Sequence, residues 1–273
     1  MQSVIHAASA SVFAPPLSDC RQRSSAHVAW SECVVDSSES HPGSEGGLGL
    51  RFRGPVAGPE QDLVLAFLSA ATMELRPGRS LTVFAEPAID SGYPDLVGVV
   101  WRSEVARQWT VERQRLRAAD LRLLHLLATR GAFELSFLRE VFQRGFNGML
   151  TRLDEAGVVC VGKTTCRARS LKTIFAVEHI VAIEAKVSAT QRAIKQACAN
   201  TWFSSESHAL LPRPRTGERL TGMAASLGVG VLSFEGDRVA QLSAASIRSV
   251  PLSYGSWLFN EWTWRVARRT GAI

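Results

Sequence analysis

Residues 179–187 read His-Ile-Val-Ala-Ile-Glu-Ala-Lys-Val. Apart from His179 and the two charges the run is apolar, which predicts a strand. Side chains alternate along a strand, so Glu184 and Lys186 share one face and Ala185 takes the other. Charges inside an apolar strand are costly unless something pairs with them, and that need points outward to a second stretch.

The second stretch is Tyr93-Pro-Asp-Leu-Val97, which sets Asp95 at the start of another apolar strand, Leu96 to Trp101. Leu81 to Glu86 predicts the strand before it, with turn residues Asp90-Ser-Gly-Tyr-Pro94 between the two. If the strands of Asp95 and Glu184 pair, two carboxylates and Lys186 converge. Two carboxylates can hold a divalent cation, Mg2+ with several waters retained, with Mn2+ as a substitute. Such an ion activates water and offsets charge growing on a phosphate. Lys186 can hold or deprotonate that water, or stabilise pentavalent phosphorus. The competing reading is a cross-strand salt bridge on an exposed sheet face. Against it, the strands read as interior to a covered sheet, where Asp95 and Glu184 would repel unless a cation joined them.

The remaining elements follow from period and punctuation. Leu63, Val64, Phe67, Leu68 and Ala71 predict a helix ending before Pro77-Gly78. After Glu184 come a helix over 189–203, a short strand at 209–211, a hairpin from Val229 to Leu242, and a helix over 257–269. From 118 to 176 the apolar period turns helical. Leu121, Leu124, Leu127 and Ala128 form a first stripe. Phe133 to Phe142 and Phe146 to Ala156 form two more, and a hairpin runs from Val158 to Phe175. Three helices and a hairpin outline a winged helix-turn-helix. Residues 1–56 are rich in Ser, Ala, Gly and Pro without a sustained period, and are expected to be a poorly structured arm.

In order, these pieces resemble the PD-(D/E)xK nuclease superfamily, whose pattern is a helix acid, a hairpin Asp, a strand E-x-K and a helix Gln. This chain supplies Glu60, Pro94-Asp95, Glu184-Ala185-Lys186, and Gln196 within Ala193-Ile-Lys-Gln-Ala197. The resemblance covers about 59–110 and 178–250. It implies an α/β fold: a restriction-endonuclease-like mixed sheet flanked by helices, with an inserted winged-helix lobe. Residues 57–117 and 177–273 would form the discontinuous nuclease-like domain, and 118–176 the insert. It also implies metal held by Asp95 and Glu184, and catalysis by Asp95, Glu184, Lys186, Gln196 and Glu60. Glu74 is the alternative helix acid, and Glu86 can reach the metal from the first strand. The wide separation of Asp95 and Glu184, with the lobe between, departs from the family pattern.

The expected partner is nucleic acid, with DNA the first choice. The net charge of +6 and pI of about 9.4 agree with a polyanion. Between Leu121 and Ala176 there are nine Lys or Arg against four Asp or Glu. Arg144, Asn147 and Arg152 would line the third helix, and Lys163, Arg167, Arg169 and Lys172 the wing, as phosphate and groove contacts. The competing use of such a lobe is protein contact, so a second copy or a partner protein is also admitted. The other reading of the whole chain is an inactive DNA-binding or regulatory protein keeping the nuclease fold.

Several classes fall away. No apolar run reaches membrane length and no secretory leader is seen, so a cytoplasmic location is expected. Five scattered cysteines without a C-x-x-C pair read as free thiols. Gly157-Val-Val-Cys-Val-Gly-Lys-Thr164 matches a phosphate-binding P-loop string, but its middle is an apolar strand and a helix precedes it. Trp257, Trp262 and Trp264 read as core rather than a base-stacking platform.

Overall fold

The computed structural model describes residues 25–37, 47–54, 56–212 and 218–273. Strand β1 (Ala26–Ala29) leads to helix α1 (Pro59–Ala70) and strand β2 (Thr72–Leu75), which pairs antiparallel with β1. β3 (Arg79–Ala85) and β4 (Leu96–Arg102) form an antiparallel hairpin. A single turn, α2 (Ser103–Ala106), precedes a helical region. That region comprises α3 (Ala118–Arg130), β5 (Phe133–Glu134), α4 (Leu135–Phe142), α5 (Phe146–Glu155), β6 (Val159–Val161), β7 (Thr165–Ala168) and α6 (Leu171–Ile174). The chain then runs through β8 (Val177–Ala185), α7 (Gln191–Ala199), β9 (Glu206–Leu210), α8 (Glu218–Ser226), β10 (Gly230–Glu235), β11 (Arg238–Ser243) and α9 (Tyr254–Arg269).

Among the described residues the main sheet has six strands in the order β11-β10-β9-β8-β4-β3. It is mixed for a simple reason of connection. The helices α7 and α8 carry the chain back across the sheet, so β8, β9 and β10 run parallel. The loop 86–95 joins β3 to β4 and the two-residue turn Gly236-Asp237 joins β10 to β11, each returning the chain beside the strand it left, so these pairs are antiparallel. β4 and β8 are also antiparallel neighbours, with the whole helical region as their connection. The α/β class with helices flanking a mixed sheet is therefore as the sequence leads one to expect.

The sheet is covered on both faces. On one, Val181, Ile183, Leu210 and Leu232 pack against Val64 and Phe67 of α1 and against Trp30. On the other, Phe84, Val97, Val99 and Ile180 meet Phe259 and Trp262 of α9. Ala209 and Val231 meet Ala193, Ile194 and Ala197 of α7. Every residue of α9 from Gly255 to Ala267 is buried, so its tryptophans are core.

The structure departs from expectation at the N-terminal arm. Residues 25–37 and 47–54 are packed, with Trp30 and Leu50 fully buried. The reason is complementarity rather than periodicity. Gly98 leaves a gap on β4 that the Trp30 ring fills, and a Cβ there would lie 2.5 Å from Trp30 Cη2. The rest of that expectation, residues 1–24, 38–46 and 55, lies outside the described residues, as does Cys20. The helix predicted from Leu63 also ends early, at Ala70. Exposure then alternates residue by residue over Thr72–Leu75, which is a strand.

Residues 118–176 contain the three expected helices, α3, α4 and α5, but the expected hairpin has a third strand, in the order β5-β7-β6, and a single helical turn, α6, replaces the end of its second strand. The apolar core of this region runs on into that of the sheet. Leu121, Leu124, Phe146 and Leu153 belong to the same apolar cluster as Val97, Trp257 and Trp262. A fully buried ion pair, Arg113–Glu261, ties the approach to α3 onto α9. The P-loop string starts in the turn that follows α5 and runs through strand β6, and its Lys163 sits in the turn before β7. That is helix, turn, strand, the reverse of a phosphate loop. Cys160 and Cys166 lie opposite Arg167 and Val161, and both thiols are free.

Candidate active site

Where β4 begins and β8 ends, the sheet brings three sequence-predicted residues together. Leu96 pairs with Ile183, so Asp95 and Glu184 stand side by side one step further along. The main-chain N–H of Ala185 donates to Asp95 Oδ2 at 2.7 Å. Lys186 Nζ lies 3.1 Å from Glu184 Oε1, 3.7 Å from Asp95 Oδ2 and 3.3 Å from Glu60 Oε2. It also donates to the Ala185 carbonyl at 2.8 Å. Glu60 reaches the site because Pro59 starts α1 here, Pro being well suited to the first turn of a helix.

The electrostatics are those of a crowded carboxylate pair. Burial and then the neighbouring Asp95 push the Glu184 carboxyl up to about 7, against the opposing pull of Lys186. Asp95 is likewise raised, by burial first, with Lys186 and the Ala185 N–H acting the other way. Burial works against the charge on Lys186, but Asp95 and Glu184 outweigh it and its ammonium holds its proton above the ordinary lysine range.

These groups form the floor of a cavity of about 530 Å3. Gln196 on α7 lines it, and its Oε1 is out of solvent with no hydrogen-bond partner among the described residues. Two neighbours that sequence reasoning missed stand beside it, Arg192 and Asn200. They are four residues either side of Gln196 on one helical stripe, so helical spacing from Gln196 was the signal that could have found them. Arg53, also missed, comes from the N-terminal arm, where no periodic signal marks it. The fit to a divalent cation is reasonable. Mg2+ is commonly held by one or two carboxylates with water completing the shell. Among the described residues, however, no group of three or more His, Cys, Asp or Glu is arranged to hold a metal.

The other candidate acids divide. Glu86 pairs with Arg53 and borders an adjoining cavity. Glu74 lies on β2, opposite His27, and does not line the cavity.

The predicted nucleic-acid contacts are also unequal. Arg144, Asn147, Lys163, Arg167 and Lys172 are exposed. Arg152 is not free: its Nε and Nη2 each lie 2.7 Å from the buried Asp120 carboxylate. It clamps α5 to the start of α3, a role that a buried Asp at a helix N-terminus demands and that charge counting does not reveal. Arg169 is also exposed, but its Nε donates to the Val159 carbonyl at 3.1 Å, bracing the hairpin. No helix of the described residues is long and apolar enough to cross a membrane. Comparison with family models, curated proteins and solved structures gave no match for this chain.

Proposed function

We propose that this chain is a Mg2+-dependent phosphodiesterase of the PD-(D/E)xK kind, restriction-endonuclease-like in fold, that cleaves DNA. The observation carrying the reading is the convergence of Asp95, Glu184 and Lys186 at the floor of a polar cavity beside the unpartnered Gln196 Oε1. A buried carboxylate pair at one end of a sheet is costly unless a cation is its working partner.

Asp95 and Glu184 would hold the metal, with Mn2+ as a substitute for Mg2+. When bound, the ion supplies Lewis acidity and a water of lowered pKa. Lys186 keeps its proton, so it serves as a donor to a phosphate oxygen and as a fixed positive charge rather than as a base. Glu60 and the Ala185 carbonyl orient its ammonium. Gln196 lines the same space, and its side-chain amide is suited to orienting the attacking water.

The helical region 118–176 we read as a winged helix-turn-helix, with Arg144, Asn147, Lys163, Arg167 and Lys172 toward the duplex backbone. The second reading is an inactive DNA-binding protein of the same fold, which the lack of a three-ligand cluster among the described residues favours. Incubation with circular and linear DNA and RNA in Mg2+, Mn2+ or EDTA tests both. Metal-dependent cleavage that Glu184→Ala abolishes supports the first. DNA binding without cleavage under every condition supports the second.

A further inference from the structure

The N-terminal arm contributes Arg53 to the lining of the cavity. Residues 51–53 lie along residues 86–88 like a short strand pair. Ala88 N–H donates to the Arg51 carbonyl, Phe52 bridges Pro87, and Arg53 N–H donates to the Glu86 carbonyl. Glu86 N–H in turn donates to the Asp95 carbonyl at 3.0 Å. Backbone hydrogen bonds therefore link Arg53 to the acid at the cavity floor through one intermediate residue. Glu86 takes a left-handed φ of +48°, which a non-glycine residue adopts only at a cost. Its carboxylate receives the Arg53 Nε. This arrangement fixes an arginine, half exposed, on the border shared by the main cavity and an adjoining one of about 350 Å3.

The second component is Tyr93. Its side chain lines the same cavity, its ring centroid is 5.4 Å from Arg53 Cζ, and the residue is 46% exposed. The loop that carries it is fastened elsewhere: Ser91 Oγ accepts from Trp202 Nε1 at 3.0 Å, and Asp90 meets Arg122 and the Tyr254 hydroxyl. An aromatic face beside a held guanidinium, both next to a carboxylate site, has the chemistry of a nucleotide pocket. The guanidinium suits a phosphate, and the ring suits a base.

We propose that Arg53 and Tyr93 form a subsite for the nucleotide adjoining the scissile phosphate, Arg53 contacting its phosphate and Tyr93 stacking on its base. Stacking on a side chain needs a base whose face is free, whereas inside a duplex both faces are covered by neighbours. The substrate strand is therefore unpaired at this position, as at an end, a flap or a single-stranded stretch. The inference rests on the nuclease reading for what the cavity does, but the subsite can be tested without turnover.

The binding test uses the full chain in EDTA and single-stranded oligonucleotides carrying 2-aminopurine, whose fluorescence falls on stacking. Wild type and Tyr93→Phe should quench it alike, while Tyr93→Ala should lose the quench and bind roughly tenfold or more weakly. Arg53→Ala should weaken binding while a conservative Arg53→Lys restores part of it. In Mg2+, Tyr93→Ala should raise KM for an intact single strand but not for one with an abasic nucleotide at that position. Duplex ends with unpaired overhangs should be cut faster than continuous duplex. Quenching and KM unchanged in Tyr93→Ala and Arg53→Ala, in a protein that cleaves, would overturn the subsite and leave the nuclease reading standing. Tyr93-dependent quenching in a protein that never cleaves would sustain the subsite and remove the nuclease. Absence of both binding and cleavage would overturn both.

Discussion

The Asp95 carboxylate accepts the main-chain N–H of Ala185 at 2.7 Å, so at the end of the sheet a side chain performs the pairing that carbonyls perform along the rest of β4 and β8. The acid thus has a structural duty as well as a proposed chemical one. Asp95→Asn keeps an acceptor oxygen and should fold normally without binding metal. Asp95→Ala leaves the Ala185 N–H buried and unpartnered, which should cost about 1–3 kcal/mol more than the Asn variant. Urea unfolding of both variants, with and without Mg2+, separates the two duties. Equal stability of the two would mean that the hydrogen bond contributes nothing.

Glu184 links stability to pH in an unusual direction. Its carboxyl is raised from 4.5 to about 7 in the folded state, by burial and Asp95. Between those values the folded protein holds a proton that the unfolded chain has lost, so this group makes stability fall as pH rises. In EDTA, Tm should decline across that window, and Glu184→Gln should flatten the decline. Protons and metal compete for the same oxygens, so Mg2+ should raise Tm more at pH 8 than at pH 6. A Mg2+ effect of equal size in Glu184→Gln would argue that the ion binds elsewhere.

Two arginines of the helical region should behave oppositely. Arg152 neutralises Asp120, which has no solvent exposure, so Arg152→Ala should destabilise the fold by about 3–5 kcal/mol. Arg167 is exposed, and Arg167→Ala should leave Tm unchanged and reduce the salt dependence of DNA binding by about one unit of slope. Denaturation curves and binding measured at several salt concentrations check the pair. An Arg167 variant that binds as wild type at every salt concentration would assign this surface to protein contact.

On the opposite face of the sheet, Glu206 is enclosed between His179, at 2.7 Å, and His208, at 3.2 Å. Burial pushes its carboxyl up, but hydrogen bonds from the two histidines outweigh this and hold it at about 2. Its contribution is present above the unfolded value of 4.5 and is lost as pH falls toward 2. Acid unfolding should therefore steepen in that window, by up to about 3 kcal/mol in total, and Glu206→Gln should remove the steepening. A variant with the wild-type acid profile would assign acid sensitivity to other groups.

The seating of Trp30 against Gly98 gives a direct test of the arm. Trp30→Ala should cost about 3–5 kcal/mol as a buried aromatic deletion. Gly98→Ala should destabilise as well, because its Cβ would overlap the Trp30 ring. In the double variant the two losses should be less than additive, since the ring that clashes is gone. Strict additivity would mean that the two positions do not share a contact.

Much of this molecule was legible because its strands carry strong local signals. Apolar runs of fixed length gave β3, β4 and β8, and period-two alternation put Glu184 and Lys186 on one face before any pairing was known. The N-terminal segments were opaque because their fit depends on a hole left by a distant glycine, which no local period encodes. Arg53 was hidden for the same reason. Arg152 was misread because surface charge and a partner for a buried acid look alike in a sequence. The helical region was legible in outline but not in its attachment, since Leu121 and Leu124 form the same stripe whether they cover their own lobe or the next helix.

Helix α9 is made after every other element described here, and it is buried almost from end to end between the sheet and α3. Until it docks, the face of β4 and β8 that leads to Asp95 and Glu184 lies open to water, and Ala176 and Val177 lack the Asn260 side chain that accepts their N–H groups. Domains assemble as their segments emerge during synthesis. A ribosome-bound chain that has not yet released this helix would hold both strands with that face still wet, so the sheet would be sealed only when α9 docks, a delay written into translation itself.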